Sequence, residues 1–293
     1  MRTRLISKFT AWAALLCLEG IGFADPVNFT LRRGHLIVIP VTINGMGPHD
    51  FLLDTGASTT LLTPEFARQL RLRPIDRIEL VTVAGSQILV RSELERVTVG
   101  AQTATDVEVL ISELREVRAA GSNIQGVLGQ NFMARFNYLI DYGAQRLEFE
   151  ASDELETRLC GARLPLEERA GRWLVTISVI QKDWQQHWRF VPDTGVATLL
   201  MFAREEVALD WVPDTMEARL ARTDVGSQQV QQWRVRSLQL GPVKFTDLPV
   251  IVLAAAQAGE GRSENGLLPT SLFQRVYFNH RRGYLILNPG ADE

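Results

Sequence analysis

Short segments that alternate apolar and polar residues, rich in β-branched side chains, dominate the chain after its N-terminal region. Residues 35–43 form one such segment, and the turn-forming residues 44–48 return the chain into an apolar run that ends at Leu53. These segments predict a β-hairpin. Its second strand runs directly into Asp54, so the hairpin presents a carboxylate from a turn at the end of a buried strand.

The same alternation continues through the rest of the first half. Residues 78–83 and 87–90 flank the small residues Ala84-Gly85-Ser86, which is typical of a second hairpin with a small tip. Two short helices are predicted. One begins at Pro64, which follows the capping residue Thr63, and the other covers residues 131–136. The pattern therefore predicts an all-β fold with short helices.

The order of these motifs recurs in the second half of the chain. Phe190-Val191-Pro192-Asp193-Thr194-Gly195 repeats Phe51-Leu52-Leu53-Asp54-Thr55-Gly56 at an offset of 139 residues. Residues 266–268 repeat residues 126–128 at an offset of 140. A register kept over this length indicates two copies of one β-rich unit.

The repeat and the N-terminal composition divide the chain into four segments. Three basic residues precede an apolar run, and Gly22-Phe23-Ala24 supplies the small residues of a signal-peptidase site. We therefore predict a signal peptide at residues 1–24, which implies an exported protein, either periplasmic or secreted, with no stable membrane insertion after cleavage. An N-terminal lobe follows at 25–150, then a linker at 151–171 and a C-terminal lobe at 172–293.

Composition and charge narrow the chemistry. The 293 residues, 46% of them hydrophobic, can bury a full core, and a net charge of −3 without a basic block argues against nucleic acid. Cys160 is the one cysteine after the predicted signal, so no intramolecular disulfide is expected. The four histidines show no metal-ligand spacing, and the sequence predicts neither a metal nor a cofactor.

The paired motifs Leu53-Asp54-Thr55-Gly56-Ala57-Ser58 and Pro192-Asp193-Thr194-Gly195, each followed about 70 residues later by a glycine-containing apolar stretch, resemble those of aspartic peptidases. More narrowly, the chain resembles bacterial retropepsin-like proteins, with two retropepsin units fused in one chain. The resemblance implies a bilobal acid-protease fold. Two homologous β-barrel-like lobes of six to seven strands, with short helices, would enclose a cleft.

The resemblance also implies a function and a site. Asp54 and Asp193 would form a catalytic dyad that activates water for hydrolysis of extended peptide or protein segments, without cofactor or metal. Sequence alone leaves open which aspartate is the base. Thr55, Gly56, Thr194 and Gly195 would support the two active turns, with the threonines exchanging hydrogen bonds across the lobes. The fused pair would act as a monomer.

Two hairpin tips are candidates for flaps that bind substrate. They contain Gly85 and Ser86 in the first half and Gly226 and Ser227 in the second half. A tip glycine is also common in ordinary turns, and the repeat leaves open whether both flaps function.

Two departures from the family pattern leave an alternative open, which is a catalytically inactive peptide-binding or assembly protein that keeps the fold. Pro269 stands where the first half has Gly129, and Ala57 and Val196 stand where pepsin-like enzymes usually carry a hydroxyl that bonds the carboxylate. A third departure, Gln130 in place of an arginine typical of the retroviral members, weakens the analogy to a homodimer.

The missing hydroxyls yield a prediction about pH. Loss of a donor to an ionised carboxylate raises its pKa. We therefore expect peptide hydrolysis to be fastest at roughly pH 5 to 7, because activity requires one protonated and one ionised aspartate. A pH profile of kcat/KM tests this, and an optimum below about pH 3 would contradict it.

Overall fold

The structure is a computed structural model that describes residues 25–82, 85–119, 121, 123–150, 159–169, 171–181, 184–203, 211–213, 219–223, 226–254, 263–288 and 290–291. The predicted signal peptide at 1–24, the first part of the predicted linker and the hairpin-tip residues 83–84 and 224–225 lie outside these residues.

The first half is built from short strands and three short helices in its described residues. They are β1 Val27–Asn28, β2 Thr30–Arg32, β3 Leu36–Ile43, β4 Met46–Leu53, β5 Thr60–Leu62, α1 Pro64–Gln69, β6 Asp76–Thr82, β7 Gly85–Val99, β8 Gln102–Ile111, α2 Arg115–Arg118, β9 Ile124–Leu128, α3 Gln130–Met133, β10 Tyr138–Asp141 and β11 Arg146–Phe149. Helix α1 begins as predicted, with the Thr63 side chain accepting the Phe66 N–H ahead of Pro64.

The second half follows the same plan. Its elements are β12 Leu159–Cys160, β13 Arg163–Arg169, β14 Arg172–Gln181, β15 Trp184–Asp193, β16 Leu199–Ala203, β17 Trp211–Pro213, β18 Arg219–Thr223, β19 Gly226–Leu240, β20 Val243–Ala254, β21 Gly266–Pro269, a 3-10 helix Thr270–Leu272, β22 Arg275–Asn279, β23 Tyr284–Leu287 and β24 Gly290–Ala291. The predicted all-β class with short helices is confirmed.

A strand with neighbours on both sides carries the aspartate in each half. In the first half, β4 lies between β3 and β9, is parallel to β9 with Leu53 opposite Leu128, and β9 is antiparallel to β5. In the second half, β15 repeats this arrangement with β14, β21 and β16. Each aspartate therefore leaves a central strand, where backbone pairing on both sides limits its movement.

The two halves also share a sheet that contains neither aspartate strand. Its order is β1-β11-β10-β22-β23-β13, so each half contributes three of these described strands. Strands β10 and β22 join the halves, with Tyr138 opposite Phe278, and both side chains are fully buried. The lobes are thus joined by backbone hydrogen bonds and a common apolar core in addition to their covalent connection.

Strand β13 occupies part of the segment predicted as a linker. It pairs with β23 in the shared sheet and with β14 in the second lobe. Its place corresponds to that of β1 in the first half, because β1 pairs with β11 at the opposite edge of the same sheet. Regular structure belonging to the second half therefore begins before residue 172.

Candidate active site

The residues of the two aspartate turns are positioned by the strands that precede them. Phe51 and Leu53 point into the main core and are almost fully buried. The Asp54 backbone N–H donates to the Leu128 carbonyl at 3.0 Å, which continues the β4–β9 pairing to the aspartate itself. Asp193, the last residue of β15, is only 5% exposed. Both carboxyl groups are therefore carried by backbone that has little freedom to shift.

The structure brings Asp54 and Asp193 together through the glycines that follow them. A Cβ placed on Gly56 would overlap the carboxyl group of Asp193, and a Cβ on Gly195 would lie 3.0 Å from Oδ2 of Asp54. Each glycine thus contacts the aspartate of the opposite half. The turns can approach this closely only because neither has a side chain at that position.

Backbone donors orient both carboxyl groups. Oδ1 of Asp54 accepts the N–H of Gly56 at 2.8 Å and that of Ala57 at 3.1 Å. Oδ1 of Asp193 accepts the N–H of Gly195 at 2.6 Å. Ala57 lacks the hydroxyl of pepsin-like enzymes, but its backbone still donates to the aspartate. One oxygen of each carboxyl group is therefore held by its own turn.

The two carboxyl groups influence each other's ionisation. Burial raises the pKa of Asp193 well above its usual range, and the neighbouring Asp54 carboxyl raises it further. The backbone N–H groups of Gly195 and Val196 oppose this effect by stabilising the carboxylate. Two such acids at close range cannot both be ionised easily, so the arrangement favours a single shared proton.

Thr55 and Thr194 lock the two turns together by a reciprocal exchange. The Thr55 N–H donates to Oγ1 of Thr194 at 3.0 Å, and the Thr194 N–H donates to Oγ1 of Thr55 at 3.2 Å. Each hydroxyl then donates across the lobes, that of Thr55 to the Pro192 carbonyl at 2.7 Å and that of Thr194 to the Leu53 carbonyl at 2.6 Å. The N–H group and the hydroxyl of both threonines are buried, so these bonds fix how the lobes meet.

Three further residues support the turns although no sequence motif marks them as site residues. The side-chain amide of Gln130 donates to the Thr55 carbonyl at 3.1 Å. The Thr270 hydroxyl donates to the Asp193 carbonyl at 3.4 Å, and its Oγ1 lies 2.6 Å from the hydroxyl oxygen of Tyr142. Burial raises the pKa of Tyr142, so its hydroxyl stays protonated. Tyr142 thus supports the aspartate turn of the opposite half.

The replacement of glycine by Pro269 is matched by a second replacement. In the first half, the Gly129 N–H donates to Oγ1 of Thr60 at 3.2 Å. Pro269 has no N–H, and the position equivalent to Thr60 is the fully buried Leu199. The donor and its acceptor are lost together, so neither is left unsatisfied. Pro269 still pairs with Asp193 in the β15–β21 register.

The flap candidates lie at the ends of paired strands. Gly85 and Ser86 open β7 opposite Thr82 and Val81. Gly226 and Ser227 open β19, paired with β18 in the same manner. Their role in binding substrate stays a prediction.

The described residues hold no group of three or more histidine, cysteine, aspartate or glutamate side chains that could bind a metal ion. In that same part of the chain, no helix has the length and hydrophobicity needed to cross a bilayer.

Comparison with known proteins agrees with the duplicated architecture. A family model described as aspartyl protease matches the chain twice, over residues 39–132 and 176–272. No curated protein matches the sequence. Among solved structures, the chain is similar to a retropepsin-like aspartic protease from Rickettsia conorii, at 19% identity and a TM-score of 0.31, covering 42% of this chain and 87% of that one.

Thr194→Val tests the threonine exchange. Valine keeps the shape of the side chain but leaves the Leu53 carbonyl and the Thr55 N–H without their partner, at a cost of roughly 1–3 kcal/mol for each group. We expect a corresponding loss in the free energy of unfolding, measured by urea denaturation. Thr194→Ser keeps the hydroxyl and serves as the control. Equal stability of the valine and serine variants would contradict the proposed lock.

The raised pKa of Asp193 predicts how stability depends on pH. The folded chain holds this proton more tightly than the unfolded chain, so the contribution is complete below about pH 4 and is lost as pH rises through the raised pKa. Asp193→Asn should therefore flatten the fall in unfolding free energy that the unmodified protein shows over this range. Asp106→Asn, at an exposed position, is the control. Parallel pH curves for all three proteins would refute the coupling.

Proposed function

The chain belongs to the aspartyl protease family, and from that premise we propose that it is an aspartic endopeptidase with Asp54 and Asp193 as its catalytic dyad. The observation that carries the proposal is the contact between the two turns, which supports a shared proton between two oriented carboxyl groups. A pair with one proton contains both an acid and a base, as peptide hydrolysis without a metal or a covalent intermediate requires.

The proposed reaction uses that proton in two steps. Water attacks the scissile carbonyl carbon while the ionised carboxylate takes a water proton and the neutral carboxyl group gives its proton to the carbonyl oxygen. The resulting tetrahedral diol then collapses. The C–N bond breaks, the amine nitrogen receives a proton, and one hydroxyl proton returns to the pair, so the dyad ends with the single proton it began with. The geometry is compatible with either aspartate as the initial base.

The proposed substrate is an extended segment of a peptide or protein. A cleft bordered by β-strands can bind such a segment through its backbone as an added strand. Because one chain supplies both aspartates, a second copy is unnecessary, and we propose that the protein acts as a monomer. The basic and apolar N-terminal residues support export, with action in the periplasm or outside the cell.

The inactive peptide-binding alternative rested on Pro269 and on the missing hydroxyls. The matched change at Leu199 removes the first reason, since no polar group loses its partner there. The N–H of Ala57 weakens the second, because Asp54 retains two backbone donors. Both departures are therefore compatible with an intact dyad.

Separate Asp54→Asn and Asp193→Asn variants test the proposal. Each asparagine removes the shared proton but keeps the size of the side chain, so we expect kcat/KM on a casein-like or peptide-library substrate to fall by about a thousandfold or more. A statine-type inhibitor should block the unmodified protein, and Asp106→Asn should leave the activity unchanged. No cleavage by pure, folded protein over a broad pH range would favour the peptide-binding alternative.

A further inference from the structure

The two halves differ in chemistry at one pair of equivalent positions on the strands that flank the aspartate strands. The β3–β4 register has Ile37 opposite Leu53, and counting both strands onward by one residue brings Leu36 level with Asp54. The β14–β15 pairing ends with Val175 opposite Phe190, and counting both strands onward by three residues brings Arg172, the first residue of β14, level with Asp193. Leucine in the first half thus corresponds to arginine in the second half.

In the first half this position belongs to an apolar surface. Leu36 and Ala57 are both partly buried and pack against one cluster, and the Ala57 N–H donates to Asp54. The buried members of the cluster are Val38, Leu52, Leu114, Ile124 and Val127. These side chains lie on the face of β4 opposite the main core, since Phe51 and Leu53 point the other way. A substrate that reaches Asp54 from this side therefore meets apolar side chains.

The second half has an equivalent cluster with a charged end. Val196 packs against buried residues that include Leu174 and Val191. Arg172 is two residues from Leu174 on the same strand and so lies on the same face. Its Nη1 contacts Oε1 of Glu264 at 3.1 Å. Glu264 stands 140 residues after Ile124, so an ion pair in the second half replaces two apolar members of the first-half cluster, Leu36 and Ile124.

The ion pair presents only its positive member to solvent. The Glu264 side chain is 1% exposed, whereas the Arg172 side chain is 27% exposed. The guanidinium group has five N–H donors in a fixed plane, and the glutamate contact at Nη1 occupies one edge of it. The glutamate both compensates the buried part of the charge and holds the guanidinium in one orientation.

We propose that Arg172 is a specificity-determining residue that binds an acidic side chain of the substrate on the second-lobe side of the dyad. This inference rests on the proposed peptidase function. A carboxylate is the substrate group best matched to a planar, oriented guanidinium, because it can accept two parallel N–H bonds. On the first-lobe side, Leu36 and its cluster favour an apolar side chain. The two sides of the scissile bond are therefore recognised by different chemistry.

The first experiment compares peptides that differ only in Glu or Gln at each position around the scissile bond. The unmodified protein should cleave the Glu peptide about tenfold better in kcat/KM at one position on one side of the bond, as a charge-assisted contact implies. The preference should also shrink at high salt, because the Arg172 side chain is 27% exposed and salt screens an exposed charge. Equal rates for Glu and Gln at every position would overturn the inference.

The second experiment uses Arg172→Leu/Glu264→Ile, which copies the pair found in the first half. The double change avoids leaving Glu264 buried without its counter-charge. We expect this variant to lose the Glu preference while it still cleaves an apolar peptide. Arg68→Leu/Glu65→Ile, which removes an exposed ion pair from α1, is the matched control and should keep the preference. A retained preference in the Arg172 variant, once circular dichroism shows that it is folded, would exclude the assigned role.

Peptide binding separates this inference from the peptidase function. The affinities of the same Glu and Gln peptides are measured by calorimetry on the Asp54→Asn variant. This variant lacks one aspartate of the proposed dyad, so the peptides should stay intact during the titration. Tighter binding of the Glu peptide, without any cleavage by the unmodified protein, would reject the peptidase function and retain Arg172 as the recognition residue. Cleavage together with equal binding of both peptides would reject Arg172 as the recognition residue and retain the peptidase function.

Discussion

The reciprocal hydrogen bonds between Thr55 and Thr194 are the constraint on which the rest of the site depends. They join the two aspartate turns at a fixed separation, and each hydroxyl also bonds the backbone of the opposite strand end. At that separation the carboxyl group of Asp54 raises the pKa of Asp193. The cost of bringing two acids together is offset because the pair retains one proton. The shared sheet through β10 and β22 holds the lobes together at a second place.

The two halves keep this lock unchanged and differ around it in a consistent manner. The hydrogen-bonded pair of Gly129 and Thr60 is replaced by Pro269 and Leu199, which need no partner. The apolar Leu36 and Ile124 are replaced by Arg172 and Glu264, which satisfy each other. Both differences are paired changes, so neither leaves an isolated buried polar group. The second lobe therefore keeps the fold while it changes the chemistry beside its aspartate.

The parts of the fold that local pattern and internal repetition determine were predictable from the sequence. The motif around Asp54, its copy around Asp193, and the short helix behind Thr63 all carry signals within a few residues. The pairing of Tyr138 with Phe278 and the strand β13 inside the predicted linker depend on contacts between distant segments. Tyr142 and Thr270 are 128 residues apart, and neither carries a motif. Aligning the two repeats position by position would have revealed Leu36 against Arg172, although not the partner Glu264.

Fusion of the two units is what permits the difference at Leu36 and Arg172. In a symmetric dimer every substitution occurs twice, so an arginine at this position would add a guanidinium to both lobes. Two added positive charges near the cleft would favour the ionised forms of both carboxyl groups, which opposes the retention of a shared proton. In the fused chain the arginine stands in the second lobe alone, where its charge is paired with that of Glu264. The pKa of Asp193 stays raised by burial and by Asp54. A charged recognition residue in one lobe is therefore compatible with the proposed chemistry, whereas one in each lobe would be costly.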